Sequence, residues 1–272
     1  MPELPEVETV RNVLKKRILN KKIKDVKILY SKMLDNEELE FKNILINNEF
    51  KDILRVGKWL IFELKEHYLL SHLRMEGKFF IKNSDDEVQK HEHIIIKLDD
   101  GFDLRYHDTR KFGRMKIIKK EDLDRTEEIN KQGLEPMNEQ LNSSYLLEKF
   151  KNKRLPIKSV LLDQTIISGL GNIYVNEVLF ASSIHPERSA LTLTEDECNK
   201  IISTSKSILE KAIKEGGTTI KSYTSSLGVI GNYQNYLKVH KREGFPCYVC
   251  KNLIKNIKVG GRSTYYCEHC QK

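Results

Sequence analysis

Four cysteines near the C-terminus, spaced Cys247-x2-Cys250-x16-Cys267-x2-Cys270, constrain this chain more than any other feature. Each C-x-x-C turn can aim two thiolates at one ion, and two such turns at this separation suit a tetrahedral zinc site. The residues between them fit a β-hairpin. The expectation is one structural Zn2+ held by Cys247, Cys250, Cys267 and Cys270. His269 lies between ligand cysteines, but four thiolates already complete the shell. Two disulfides would need an oxidising compartment. The opening MPELPEVETV carries acids and prolines where a signal peptide needs basic residues and an apolar block, so a reducing cytoplasm is expected. Cys198 falls on a predicted helix as an ordinary buried thiol.

A chain of 272 residues suggests about two domains with a sizeable core. Its 39% hydrophobic and 32% charged residues read as globular, and no apolar run is long enough to predict a transmembrane helix. The net charge of +8 is unevenly placed. Residues 200–272 hold thirteen Lys and Arg against four Asp and Glu, leaving the rest nearly neutral. A basic segment of this kind points to a polyanion, with a solvated lysine-rich face as the alternative.

Val7, Val10, Leu14 and Ile18 predict a helix over 6–19. From about residue 23 to 119 the pattern becomes short β-rich runs: DVKILY, DILRVGKWLIFEL, YLLSHLRM, KFFIK, HIIIKL, FDLRYHD and RMKIIK. Such runs between polar turns predict a sandwich or barrel. Helical spacing then predicts helices over 145–151, 157–162, 173–182 and 195–215. Thr194 and Glu197 form a capping box for the last, and Gly216–Gly217 stops it. The fold class is α+β multidomain. An N-terminal β-sandwich with an N-terminal helix spans 1–130, a helical domain 131–236, and a zinc-finger β-hairpin 237–272.

Pro2 follows the initiator methionine, and removal of Met1 would leave a secondary amine at the N-terminus. An α-amino group titrates near neutrality, so part of it is unprotonated there. Attack of such an amine on an aldehyde-like carbon gives an iminium, an electron sink for the neighbouring C–H. Glu3 and Glu6 lie alongside and could move protons. The plainer reading is a helix start with proline and acids in its first turn.

The stretches MPELPEVETV, SHLRMEGKF, HDTRKFGR and LLDQTIISGLGNIYVNEVLF, with the four-cysteine hairpin, resemble bacterial formamidopyrimidine-DNA glycosylase along essentially the whole chain. Leu4 stands where the related endonuclease VIII has glycine, favouring an oxidised-purine enzyme. The resemblance implies a base-excision-repair glycosylase and abasic-site lyase for 8-oxoguanine and formamidopyrimidines in duplex DNA. The base would leave through a Pro2 Schiff base, followed by β/δ-elimination. It implies a catalytic set of Pro2, Glu3, Lys58 and Arg262, supported by Glu6. Met75, Arg110 and Phe112 would fill the gap left by the everted nucleotide. Glu76 would contact the everted purine. His72, His91, Lys153, Arg154 and Asn172 would face DNA phosphates, with Asn172 capping its helix or binding phosphate directly. The helical domain would be a helix–two-turn–helix module, and a loop over about 218–235 would close on the purine. The implied protein is a monomer in the bacterial cytoplasm, on the nucleoid, with no membrane partner.

Thr109 and Lys111 depart from the family's usual proline and second arginine, His240 and Lys241 from a Tyr-Gly pair, and Arg154 from lysine. Competing readings are an endonuclease VIII-like enzyme for oxidised pyrimidines, a non-catalytic damage-binding zinc protein, and an N-terminal-proline tautomerase. The hairpin and basic tail oppose the tautomerase, and Pro2 with Glu3 opposes pure binding.

Overall fold

The structure, a computed structural model, describes residues 1–218 and 231–272. Most of the loop expected over 218–235 therefore lies outside the described residues. The chain divides into two units, Met1–Asn130 with Gly216–Gly231, and Lys131–Glu215 with Asn232–Lys272. In this division the C-terminal hairpin groups with the helices.

The first unit runs α1 (Leu4–Ile18), β1 (Ile23–Ile28), α2 (Glu38–Leu45), β2 (Asp52–Val56), β3 (Trp59–Glu63), β4 (His67–His72), β5 (Lys78–Asn83), β6 (Glu92–Leu98), β7 (Phe102–His107), β8 (Arg114–Lys119) and α3 (Glu127–Asn130). Helix α1 starts two residues before the spacing suggested, because proline is at home in a first turn. Two four-stranded sheets form, ordered β1-β6-β7-β5 and β2-β3-β4-β8, with every pairing antiparallel. Leu60 and Phe62 of β3 join Phe79, Leu104 and Tyr106 in the main core, together with Val7, Val10, Leu14 and Ile18 of α1. The alternate residues Trp59 and Ile61 pack with Leu70 in a smaller cluster, so β3 has no solvent face. Helix α2 lies in a stretch the sequence presented as β-rich. Phe41 and Leu45, one turn apart, are fully buried there, and Glu38 and Glu40 favour its N-terminus.

Arg105 is 1% exposed in β7. Its guanidinium meets the Glu92 and Asp103 carboxylates and donates to the carbonyls of Asn83, Asp86 and Glu87. A buried cation needs this many acceptors to offset its lost hydration.

The second unit runs α4 (Ser143–Phe150), α5 (Ile157–Leu161), α6 (Asn172–Ala181), α7 (Glu195–Lys214), β9 (Lys255–Val259) and β10 (Arg262–Tyr266). The α7 capping box is formed: Thr194 Oγ1 accepts from Glu197 N–H at 3.3 Å, and Glu197 Oε2 from Thr194 N–H at 2.9 Å. Gly216 and Gly217, at φ 73° and 76°, follow its end. The β9–β10 turn is Gly260–Gly261, with φ 55° and 75°, as a type I′ hairpin requires. Two buried polar groups join tail and helices. The Glu177 carboxylate accepts the N–H groups of Lys238, Val239 and His240 at 2.7–3.0 Å, and Lys158 Nζ donates to Ser263 O and Thr264 Oγ1 at 2.9 and 2.7 Å. Among the described residues no helix is long and apolar enough to cross a membrane.

Arg105→Ala removes the guanidinium shared by two buried carboxylates, leaving Glu92 with Lys82 and Asp103 with the Ser84 hydroxyl, and should destabilise the first unit by about 3 kcal/mol. Breaking the exposed Lys255–Glu268 pair by Lys255→Ala should leave the denaturation midpoint unchanged. Chemical denaturation of both variants checks the contrast.

Candidate functional site

Strand register brings distant segments of the first unit to one end of the sandwich. In one sheet Trp59 pairs with His72, and His72 with Arg114. In the other, Lys78 and Glu92 both pair with His107. From these two rungs emerge the β2–β3 turn carrying Lys58, the β4–β5 loop carrying Met75 and Glu76, the β7–β8 loop carrying Arg110 and Phe112, and His91 just before β6. The two loops run side by side, since β4 pairs with β8 and β5 with β7.

The N-terminus lies at the same end. Pro2, Glu3 and Glu6 are buried, while Met1 is 36% exposed. Burial lowers the Met1 α-amine below its ordinary value. The carboxylates of Glu3 and Glu6 act in the opposite sense, Lys58 lowers it further, and Glu76 raises it. An amine there therefore sits in the field of three carboxylates and one lysine. Glu6 Oε2 accepts from Glu3 N–H at 2.9 Å. Its Oε1 accepts from Thr218 N–H and Oγ1 at 2.8 and 3.0 Å, tying the segment after α7 to the start of α1. Gly217, at φ 76°, passes so close that a Cβ would sit 3.1 Å from Glu6 Cγ. Lys58 is 4% exposed, in a two-residue turn after Gly57 at φ 56°.

His72 is buried, its ring edge-on to Trp59 at 4.8 Å, and its Nδ1 accepts from Arg74 N–H at 2.9 Å. Burial, with Arg74 and Lys58 nearby, pushes its pKa down to about 3. It is a neutral imidazole whose remaining donor is Nε2–H. His91 is half-buried in left-handed backbone at φ 73°.

Met75, Arg110 and Phe112 are exposed, with the Arg110 guanidinium 4.7 Å from the Phe112 ring centre. Each apolar residue follows a residue in left-handed backbone, Arg74 at φ 50° before Met75 and Lys111 at φ 58° before Phe112. Such conformations cost about 1–2 kcal/mol for a residue with a Cβ. Asp108, fully buried, maintains the second loop: Oδ1 accepts from Arg110 N–H at 3.0 Å and Oδ2 from Gly113 N–H at 2.8 Å. Thr109 Oγ1 donates to Glu76 and joins the two loops. Sequence reasoning missed Asp108, although an Asp two residues before a loop N–H is the signature of an Asx turn.

The remaining candidates belong to the second unit. Lys153 and Arg154 are exposed between α4 and α5. Asn172 does not cap α6. Gly171 holds that position, because its extended backbone suits a cap, and Asn172 Nδ2 instead donates to Ser263 O at 3.1 Å. This sets Asn172 beside Arg262, which is exposed at the start of β10. His240 is buried, its Nδ1 2.9 Å from Asn176 Nδ2, and burial lowers its pKa to about 4. It contributes to packing there.

The sulfur atoms of Cys247, Cys250, Cys267 and Cys270 all lie within 4.8 Å of one another. Zinc–sulfur bonds of about 2.3 Å in a tetrahedron separate sulfurs by about 3.8 Å. The donor set and spacing fit one structural zinc ion.

The first unit is thus a sandwich with an N-terminal amine at its tip, and the second is a helical unit bearing a four-cysteine hairpin. Residues 1–115 match the formamidopyrimidine-DNA glycosylase N-terminal domain, residues 132–224 its H2TH domain, and residues 244–272 the zinc finger found in FPG and IleRS. The chain is 46% identical over 272 residues to the formamidopyrimidine-DNA glycosylase of Ligilactobacillus salivarius, covering 100% of this chain and 99% of that one. It is 41% identical to that of Listeria innocua, covering both in full. A Lactococcus lactis FPG mutant bound to Fapy-dG-containing DNA superposes with a TM-score of 0.95 at 40% identity, over 100% of both chains. The Lactococcus lactis Fpg complex with abasic-site DNA gives the same score and identity over 99% of each. The chain belongs to the formamidopyrimidine-DNA glycosylase family.

Two outcomes test this geometry. Cys267→Ser should lose stoichiometric zinc, read by metal analysis, while the circular dichroism of the first unit persists. Because the folded pKa of His72 is depressed, the unfolded state binds its proton first. Stability should be full above about pH 6.5 and fall toward pH 4 with a limiting slope of about 1.4 kcal/mol per pH unit. Buried His240 contributes in the same sense, so His72→Asn should reduce the slope in pH-dependent denaturation without abolishing it.

Proposed function

We propose that this protein is a base-excision-repair glycosylase that removes oxidised purines from duplex DNA and cleaves the resulting abasic site. The observation that carries the reading is the N-terminal amine, held in the field of Glu3, Glu6, Lys58 and Glu76 at the end of the sandwich where the Met75 and Phe112 loops emerge. The relatives' names and the DNA in the solved complexes support the same substrate class, and Leu4 opposes the oxidised-pyrimidine alternative.

In this mechanism Met1 is removed and the Pro2 nitrogen attacks C1′ of the damaged nucleotide. The N-glycosidic bond breaks and its electron pair leaves with the base, which takes a proton; the C1′–O4′ bond then opens, O4′ taking a proton as the Pro2 nitrogen loses its N–H and its lone pair forms the C1′=N bond. Glu3, next to Pro2 in the chain, is assigned to move these protons. The resulting iminium acidifies C2′, loss of whose proton expels the 3′-phosphate, and a second elimination expels the 5′-phosphate. Lys58 is a buried cation for the adjacent phosphate. Arg262, Asn172, Lys153 and Arg154 supply phosphate contacts from the second unit, and His72 and His91 from the first, with His72 as a neutral donor. Zinc supplies no chemistry to this scheme; its four thiolates hold the hairpin that presents Arg262. Eversion costs a few kcal/mol of stacking, which Met75 and Phe112 restore, while Arg110 pairs with the orphaned base. The work belongs where the chromosome is, in the cytoplasm on the nucleoid, and the protein acts as a monomer.

Single-turnover incision of duplexes carrying 8-oxoguanine or an oxidised pyrimidine tests the substrate class. Faster processing of the purine is expected, and equal or inverted rates would overturn the assignment. A guanidinium pairs with the acceptors of cytosine better than with adenine, worth about 1–3 kcal/mol. Lesion opposite cytosine should therefore react roughly ten- to a hundredfold faster than opposite adenine, and Arg110→Ala should compress that ratio. With about five phosphates neutralised, log K should fall against log salt with a slope near −4 to −5, and Arg262→Ala should reduce it by about one.

A further inference from the structure

Tyr106 is 1% exposed near the end of β7, with its ring against Phe79, centroids 5.1 Å apart. Its hydroxyl is buried and meets no hydrogen-bond partner among the described residues. Burial and the Asp108 carboxylate push its pKa far up, so it stays a neutral phenol. A buried hydroxyl without a partner destabilises a core relative to the isosteric phenylalanine. Its presence calls for a reason other than stability.

The reason lies in what touches the oxygen. A Cβ on Gly77 or Gly113 would clash with the Tyr106 hydroxyl oxygen, and would fall 2.9 or 2.7 Å from Cζ. Neither glycine has a positive φ, so conformational freedom does not require glycine at either place. Close approach does. Gly77 ends the loop that carries Met75, and Gly113 ends the loop that carries Arg110 and Phe112. One oxygen atom thus lies under both, while the Thr109–Glu76 hydrogen bond spans them above.

We propose that Tyr106 is a positioning residue for gap filling: its hydroxyl is the spacer on which Gly77 and Gly113 rest, and it sets the distance between the Met75 loop and the Arg110–Phe112 loop. The inference rests on the reading that these three side chains fill the gap beside the everted nucleotide. The loops then enter DNA as one wedge of fixed width. Tyr106 touches neither DNA nor the reacting atoms.

The test compares Tyr106→Phe, Gly113→Ala and their combination. The measurements are single-turnover base excision from a lesion duplex and borohydride trapping on single-stranded abasic DNA, which has no orphaned base and no gap. Tyr106→Phe should keep or raise the melting temperature. It should lower the ratio of duplex excision to single-strand trapping about tenfold and compress the preference for cytosine opposite the lesion. Gly113→Ala should show the same selective loss, and removing the oxygen in the double variant should recover part of it. A Tyr106→Phe enzyme with wild-type ratio and preference, or purely additive variants, would overturn the proposal. Met75→Ala and Phe112→Ala separate the two levels. If both excise normally, the gap-filling reading falls and takes this one with it. If both are impaired and Tyr106→Phe is not, the role of Tyr106 alone falls.

Discussion

Two rungs of strand pairing organise the first unit: Trp59–His72–Arg114 in one sheet and Lys78–His107–Glu92 in the other. Lys58, His72, Met75, Glu76, His91, Arg110 and Phe112 each lie on a rung or within a few residues of one. Antiparallel pairing alternates side chains between faces, so a slip of one residue in β4 would turn both His72 and Leu70 to the other face and misalign both loops. The core that prevents such a slip is the aromatic row of Phe62, Phe79 and Tyr106, whose neighbouring ring centres lie 5.5 and 5.1 Å apart. Packing and function meet in Tyr106, which belongs to that row and reaches the loops with its oxygen.

Several polar groups at this end are buried, and each of these is supported differently. Glu6 accepts two backbone N–H groups and one hydroxyl. Asp108 accepts two backbone N–H groups across the six-residue loop 108–113. His72 avoids charge altogether. Rigid support of this kind holds a reacting group in place before substrate arrives, which is where positional catalysis gets its free energy. The second unit repeats the device, with Glu177 and Lys158 fixing the hairpin that carries Arg262.

Much of this was legible in the sequence, because its signals were local. The four cysteines, the Thr194–Glu197 capping box and the short β-rich runs of β1–β8 each fit within a short window. What escaped depended on contacts distant in sequence. Helix α2 is only eight residues long, with Phe41 and Leu45 as its buried pair. Asn172 reads as a cap until Ser263, ninety-one residues on, supplies its partner. Gly77 and Gly113 look like ordinary turn glycines, and only the fold brings the Tyr106 hydroxyl between them. Asp108 and Glu177 act on backbone groups, which no pattern of side chains reveals.

The central claim is that the N-terminal amine does the covalent chemistry and that Lys58 assists it. The direct measurement is mass spectrometry of the peptide that carries DNA after borohydride reduction of mature enzyme incubated with an abasic duplex. The account predicts a single modified peptide, beginning at Pro2, with the mass of the reduced sugar on its nitrogen. Modification at Lys58 or another lysine, with Pro2 unmodified, would contradict it.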